Sequence, residues 1–183
     1  MKFETVLHLL MKRFNEEGIA FVLSGGLALS TMDVARFTSD IDFIIYEEDK
    51  ERVNRIMTEL GYERQSYSSD EIVCYCSPLR VFGQVDFLIA RRKYTRTMMQ
   101  KATEKPLFGG RLNVHAVRPE DLIGLKVQAI CNDPDNRYLI DKPDIQRLLK
   151  LHRAKMDMDL VREYFRIFDK EAWLNEWLQE IDG

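Results

Sequence analysis

Histidine and cysteine are scarce, with three of each in 183 residues. His8, His115 and His152 are scattered and never fall four apart, which removes a histidine metal centre. Cys74, Cys76 and Cys131 are odd in number and contain no C-x-x-C. Neither a zinc site nor a disulfide framework is therefore indicated. Cys74 and Cys76 share one face of a strand and read as buried, reduced thiols. Long apolar runs are also missing: stretches such as Phe43 to Tyr46 fall far short of the ~20 residues needed to span a bilayer. The opening Met1-Lys2-Phe3-Glu4 passes straight into an amphipathic pattern, with no signal-peptide core. A cytoplasmic protein with no membrane association is expected. Five prolines, nine glycines and the absence of repeats or low-complexity segments exclude fibrous and disordered classes. A net charge of −3 argues against a protein that coats nucleic acid.

What is present is a globular pattern in two parts. Phe3, Val6, Leu7, Leu10, Met11 and Phe14 recur at three and four residues and predict a helix ending at Gly18. Ile19 to Leu23 reads as a strand closed by Ser24-Gly25-Gly26, with a short helix from Leu27 to about Asp33. Ile41 to Tyr46 reads as a second strand. Val53, Ile56, Met57 and Leu60 mark a helix stopped by Gly61. Further strands are expected at Tyr62 to Tyr67, Ile72 to Ser77, Val81 to Ile89 and Leu112 to Val117. From Pro119 only helices are expected, near 120–132, 143–152, 159–168 and 171–181. The expectation is an α+β fold: a mixed twisted sheet flanked by helices over residues 1–118, with a helical region over 119–183 packed on it.

Asp40-Ile41-Asp42 opens a strand whose continuation is plainly core. Strand side chains alternate, so Asp40 and Asp42 share a face, ~6–7 Å apart, while Ile41 points into the core. Two like charges on one face call for a cation, and oxygen-only ligands suit Mg²⁺ or Mn²⁺. Asp86 lies inside another apolar strand, where an unpaired carboxylate is costly. Three carboxylates on adjacent strands could hold two divalent ions ~3.5–4 Å apart, one activating a hydroxyl and one holding a triphosphate. The third element is Ser24-Gly25-Gly26, between a strand and a helix, where glycine lets backbone N–H groups approach a phosphate.

This arrangement resembles the DNA polymerase β-type nucleotidyltransferase superfamily. The likeness is carried by a strand, Gly25-Gly26, a spacer, Asp40-Ile41-Asp42 and a later strand bearing Asp86. The segments Ser24 to Leu29, Arg36 to Phe43 and Pro119 to Ala129 resemble more closely the AbiEii-type nucleotidyltransferases, some of which are toxins of toxin–antitoxin pairs. The resemblance implies metal ligation by Asp40, Asp42 and Asp86, with Asp86 as base or orienter for the incoming hydroxyl. It implies triphosphate contact by Ser24, Gly25 and Gly26, and nucleotide contact by Arg36 and Thr38. The implied activity moves a nucleoside monophosphate from an NTP to a hydroxyl of RNA (tRNA or another), protein or a small molecule, with an antitoxin as a partner. The alternatives are an antibiotic-modifying nucleotidyltransferase, and a nucleotide-binding regulatory or antitoxin-type module without turnover of its own.

Two further features stand out. From Arg91 to Arg111, seven basic residues face one acid, Glu104; they read as a solvated helix face or as the rim of the site. At about 100° per residue, Lys126 falls in the middle of the apolar arc formed by Leu122, Ile123, Leu125, Val127, Ala129 and Ile130, with Asp121, Gly124 and Gln128 opposite. A lysine on a core-facing stripe either runs its stem along the core and releases its charge to water at an edge, or meets an anionic partner. The resemblance supplies one, making Lys126 a contact of the triphosphate or the acid cluster. Asp144, just after Pro143, reads as a first-turn acid favoured by the helix dipole. Trp173 and Trp177, four apart, read as packing residues.

Overall fold

The computed structural model describes residues 1–183, which divide into two compact units, Met1–Val117 and Arg118–Gly183. No helix is long and apolar enough to cross a membrane.

In the first unit, α1 (Phe3–Glu16) leads into β1 (Phe21–Ser24), the short α2 (Gly25–Leu29) and β2 (Asp40–Tyr46). Then come α3 (Lys50–Glu59), β3 (Glu63–Arg64), β4 (Ile72–Cys76), β5 (Gln84–Ala90), α4 (Lys93–Lys101), β6 (Thr103–Leu107) and β7 (Leu112–Ala116). The strands form one seven-stranded mixed sheet in the order β3-β4-β5-β2-β1-β7-β6. The two parallel pairings are β2 with β5 and β1 with β7. The expected mixed sheet with flanking helices is therefore what forms.

One face of the sheet is built from alternate residues, as the period of two requires. Phe43 and Phe87 stack across β2 and β5 at 5.7 Å, and Tyr75 meets Phe87 edge-on at 5.8 Å. The apolar stripe of α1 covers them: Phe14 meets Phe21 at 5.4 Å, and Phe43 and Phe87 at 6.0 Å each. Phe14 is fully buried, and its truncation to Ala would cost ~3–5 kcal/mol by the usual large-to-small rule. With Phe43 and Phe87 committed to that face, Asp42 and Asp86 are turned to the other.

Three expectations for this unit change. The strand foreseen at 62–67 shrinks to Glu63–Arg64, because Tyr62 turns inward (5% exposed) and its hydroxyl donates to the carbonyl of Phe82. The strand expected at 81–89 starts only at Gln84, and the basic stretch, besides the helix α4, adds an edge strand, β6. Strand β6 carries Pro106 and charged residues, as edge strands do.

The second unit is α5 (Pro119–Asn132), α6 (Pro134–His152), α7 (Met158–Ile167) and α8 (Glu171–Asp182). Helix α6 starts well before Pro143, which sits inside it, so Asp144 is not a first-turn residue. The buried face of helix α5 is rotated from its predicted stripe, for Asp121 and Gly124 are buried whereas Leu125 and Ala129 are only half-buried. Tyr164 of α7 explains the burial of Asp121 and Gly124: its ring lies where a Gly124 side chain would go, and its hydroxyl donates to Asp121 Oδ1 at 2.7 Å. Trp173 and Trp177 of α8 stack at 5.5 Å, and Trp177 packs on Phe165 at 5.7 Å. They serve packing, as their spacing indicated.

Candidate active site

The strand register assembles the site. Ser24 faces Asp42 across β1 and β2, Asp42 faces Asp86 across β2 and β5, and Asp86 faces Cys74 across β5 and β4. One row of side chains therefore runs Ser24, Asp42, Asp86, Cys74 over a single sheet face. The next row holds Asp40, Gln84 and Cys76. Carboxylate oxygens of Asp40, Asp42 and Asp86 lie within 4.8 Å of one another, each residue half-buried.

Like charges this close disfavour one another unless a cation lies among them. Burial pushes the Asp86 carboxyl above its ordinary range, the charge of Asp40 adds to this, and hydrogen bonds from Gln84 and Cys74 pull the other way. The Cys74 thiol beside it is pushed up to about 12, by burial first and then by the charge of Asp86. That thiol is a neutral neighbour, not a nucleophile. As a donor set the cluster is hard, anionic and all oxygen, which fits a magnesium-class cation.

Thr38 and the glycines frame the acids. The Thr38 hydroxyl donates to Asp40 Oδ1 at 2.7 Å. Gly25 has φ +61°, a conformation that favours glycine. A Cβ placed there would lie 2.7 Å from Asp42 Cβ and closer still to its carboxylate. A Cβ on Gly26 would lie 2.5 Å from Thr38 Oγ1 and 3.0 Å from an Arg36 guanidinium nitrogen. Packing against Asp42, Thr38 and Arg36 thus accounts for both glycines before any phosphate is considered. Arg36 itself donates to the carbonyl of Phe37 at 2.8 Å.

Ser24, Gly25, Gly26, Arg36, Thr38, Asp40, Asp42 and Asp86 all come together in the first unit. Lys126 belongs to the second. It is 3% exposed, and its ammonium lies 2.6 Å from Asp141 and 2.8 Å from Asp144. Arg137 also reaches Asp141, at 2.7 Å. The core-facing position is as the periodicity implied. The partners were not foreseen, and Asp144 owes its place to this ion pair rather than to a helix dipole.

The basic run after β5 is matched by acids. Arg91 pairs with Glu47, Arg92 with Glu71 and Arg96 with Glu48. It also follows Ala90, at the opposite end of β5 from Gln84 and Asp86. A cleft of about 420 Å³ lies toward that far end too, lined by Phe21, Tyr46, Met99 and His115 among others, and contains none of the acids.

Sequence reasoning missed Gln84. Its side-chain amide donates to both Asp86 oxygens, at 3.0 Å each. Its position two residues before Asp86 on the same strand was the available signal.

A family model described as "uncharacterised nucleotidyltransferase" matches residues 1–166. No curated protein matches the sequence significantly. Among solved structures, the antibiotic-resistance factor ANT(2'')-Ia superposes with a TM-score of 0.65 at 16% identity, covering 98% of this chain and 99% of that one. The lincosamide antibiotic adenylyltransferase LnuA gives 0.56 at 13% identity, over 79% and 95% of the respective chains. An antigenic nucleotidyltransferase-like protein of Paracoccidioides brasiliensis gives 0.58 at 16%, over 97% and 92%. At these identities the likeness is one of fold.

Proposed function

Because the chain belongs to the uncharacterised nucleotidyltransferase family, we propose that it moves a nucleoside monophosphate from an NTP to an acceptor hydroxyl, releasing pyrophosphate, with Asp40, Asp42 and Asp86 holding Mg²⁺ or Mn²⁺. The observation that carries this reading is the convergence of three carboxylates from two adjacent parallel strands within 4.8 Å. Three half-buried acids converging on one point are better accounted for by turnover than by a regulatory module without it.

In this assignment Asp40 and Asp42 bind cation on the triphosphate side, and Thr38 keeps one Asp40 oxygen fixed by donating to it. Asp86, whose buried carboxyl has a raised proton affinity, receives or orients the proton of the incoming hydroxyl. Gly25 and Gly26 keep the approach to Asp42 and Thr38 clear of side chains, and Ser24, Arg36 and the turn backbone face the phosphates. When bound, the cations supply charge neutralisation and a more acidic acceptor hydroxyl. The remaining catalysis is positioning, as is usual for this kind of transfer.

For the acceptor, the pairing of Arg91, Arg92 and Arg96 with glutamates favours a small hydroxylated molecule over an RNA end. The fold shared with two antibiotic-modifying enzymes is compatible with this. A toxin role with a cognate antitoxin rests on the AbiEii-like segments.

The test is incubation with each α-³²P-labelled NTP and Mg²⁺ or Mn²⁺, in the presence of aminoglycoside and lincosamide panels, total RNA or cell lysate. Label should enter one acceptor class and disappear in Asp42→Asn. Label transferred equally well by Asp42→Asn would overturn the assignment.

A further inference from the structure

Resting on that reading of the acid cluster, we infer that Gln84 is a positioning residue: its side-chain amide sets the orientation in which Asp86 presents its carboxylate to a cation. Gln84 and Asp86 are alternate residues of β5 and project from the same face. One nitrogen, Nε2, lies 3.0 Å from both Asp86 oxygens, a symmetric clamp that fixes the plane of the carboxylate. Strand pairing puts Gln84 beside Asp40, as it puts Asp86 beside Asp42. The amide is therefore a neutral donor set next to two acids, Asp40 across the strands and Asp86 along its own.

Which end of the amide faces Asp86 is also set. Its oxygen, Oε1, accepts from the hydroxyl of Tyr67 at 3.4 Å. Were the amide reversed, its oxygen would face the carboxylate and repel it. Cys74 stands beside Asp86 across the pairing of β4 with β5. Asp86 is thus held by a neutral donor with no counter-charge on it, leaving its negative charge for a cation. A lysine or arginine at 84 would cancel that charge, and a glutamate would add to the repulsion. A glutamine holds the group and leaves its charge intact.

Partners that orient a ligating carboxylate are typically worth 10–100-fold in metal affinity or activity. The experiment compares wild type, Gln84→Met, Gln84→Glu and Asp86→Asn. Mn²⁺ binding is followed by electron paramagnetic resonance in the absence of nucleotide, alongside kcat and KM for the NTP. Gln84→Met keeps the length and loses the donor. It should bind Mn²⁺ about tenfold or more weakly and lose kcat by ~10–100-fold, with KM for the NTP shifted by less than about threefold. Gln84→Glu keeps the shape but adds a fourth acid, so Mn²⁺ should bind more tightly than to wild type while kcat still falls. A residue that only fills space would give the reverse ranking, with the isosteric Glu variant nearest to wild type in both readouts. Wild-type Mn²⁺ affinity and kcat in a folded Gln84→Met, with Asp86→Asn inactive, would overturn the inference and spare the functional reading. Full turnover in Asp86→Asn would overturn both. The Mn²⁺ measurement stands without a known acceptor.

Discussion

The backbone of Gly25 lies directly against the side chain of Asp42, with no room between them for even a methyl group. The left-handed φ of +61° at Gly25 turns the chain from β1 into α2 at that point. Gly25→Ala therefore meets two obstacles, backbone strain and collision with a proposed cation ligand. It should lose ~1–3 kcal/mol in urea denaturation and also lose transfer activity. Gly26→Val escapes the backbone strain but should displace Thr38 from Asp40. Calorimetric titration with a non-hydrolysable NTP and Mg²⁺ should then show weaker binding. Unchanged affinity in a folded Gly26→Val would reduce the pair to a turn.

Removing an acid should separate stability from function. Burial raises the Asp86 pKa, so the native state prefers the neutral carboxyl. The sign follows from linkage: that preference favours the fold fully below the ordinary carboxylate range, and the benefit is lost as pH rises through the raised value. At neutral pH without metal, ionised Asp86 is thus a liability. Asp86→Asn should hold its melting temperature or gain about 1–4 °C while losing transfer. Added Mg²⁺ should raise the melting point of wild type only. A clear drop in metal-free stability would show that Asp86 is held by partners and not strained by its neighbours.

Much of this site was legible because strand alternation is a local rule. Asp40, Asp42 and Asp86 stand out as acids in apolar strands, and Ser24-Gly25-Gly26 as a turn after one. Gln84 is a neutral amide that carries no such anomaly, and only the register with Asp40 gives it meaning. Lys126 announced itself as a charge on a core stripe, yet its partners sit 15 and 18 residues further along. Those partners were hidden because Pro143 reads as a helix start, whereas α6 tolerates it mid-helix. Edge strand β6 was invisible for a similar reason, since its stability comes from pairing with β7 and not from its own residues.

The Lys126 ion pairs change what a substitution there should do. Lys126→Met fits the apolar stripe but removes the ammonium that the buried carboxylates of Asp141 and Asp144 share, leaving Arg137 on Asp141. Breaking a buried pair from one side costs ~3–5 kcal/mol, against the simple view that an apolar residue would suit a core position. Urea denaturation should show this loss. Adding Asp141→Asn and Asp144→Asn to the same chain should recover part of it. An unaltered midpoint for the single variant would mean the carboxylates are neutral or relax outward.

A second buried contact gives an alkaline signature. Burial, followed by the charge of Asp121, holds the Tyr164 hydroxyl proton well above the usual tyrosine range. Its contribution is therefore full below the unfolded value of about 10 and is lost as pH climbs beyond it. Tyr164→Phe should cost ~1–2 kcal/mol at pH 8, because Asp121 loses a donor. The gap between variant and wild type should narrow as pH rises past 10. A constant gap across that window would mean the hydroxyl does not titrate on unfolding.

The parallel pairing of β2 with β5 has a kinetic corollary. Asp42 and Asp86 are neighbours only after the intervening helix α3 and strands β3 and β4 have been folded past β2. Closing such a non-local pair is slow, and until it closes the acids of β2 lack their third member. A cation should therefore bind the finished sheet far better than any earlier ensemble. In stopped-flow experiments Mg²⁺ should slow unfolding while leaving the refolding rate nearly unchanged. The acid row would then act as a latch on the completed chain, holding together strands that it had no part in bringing together.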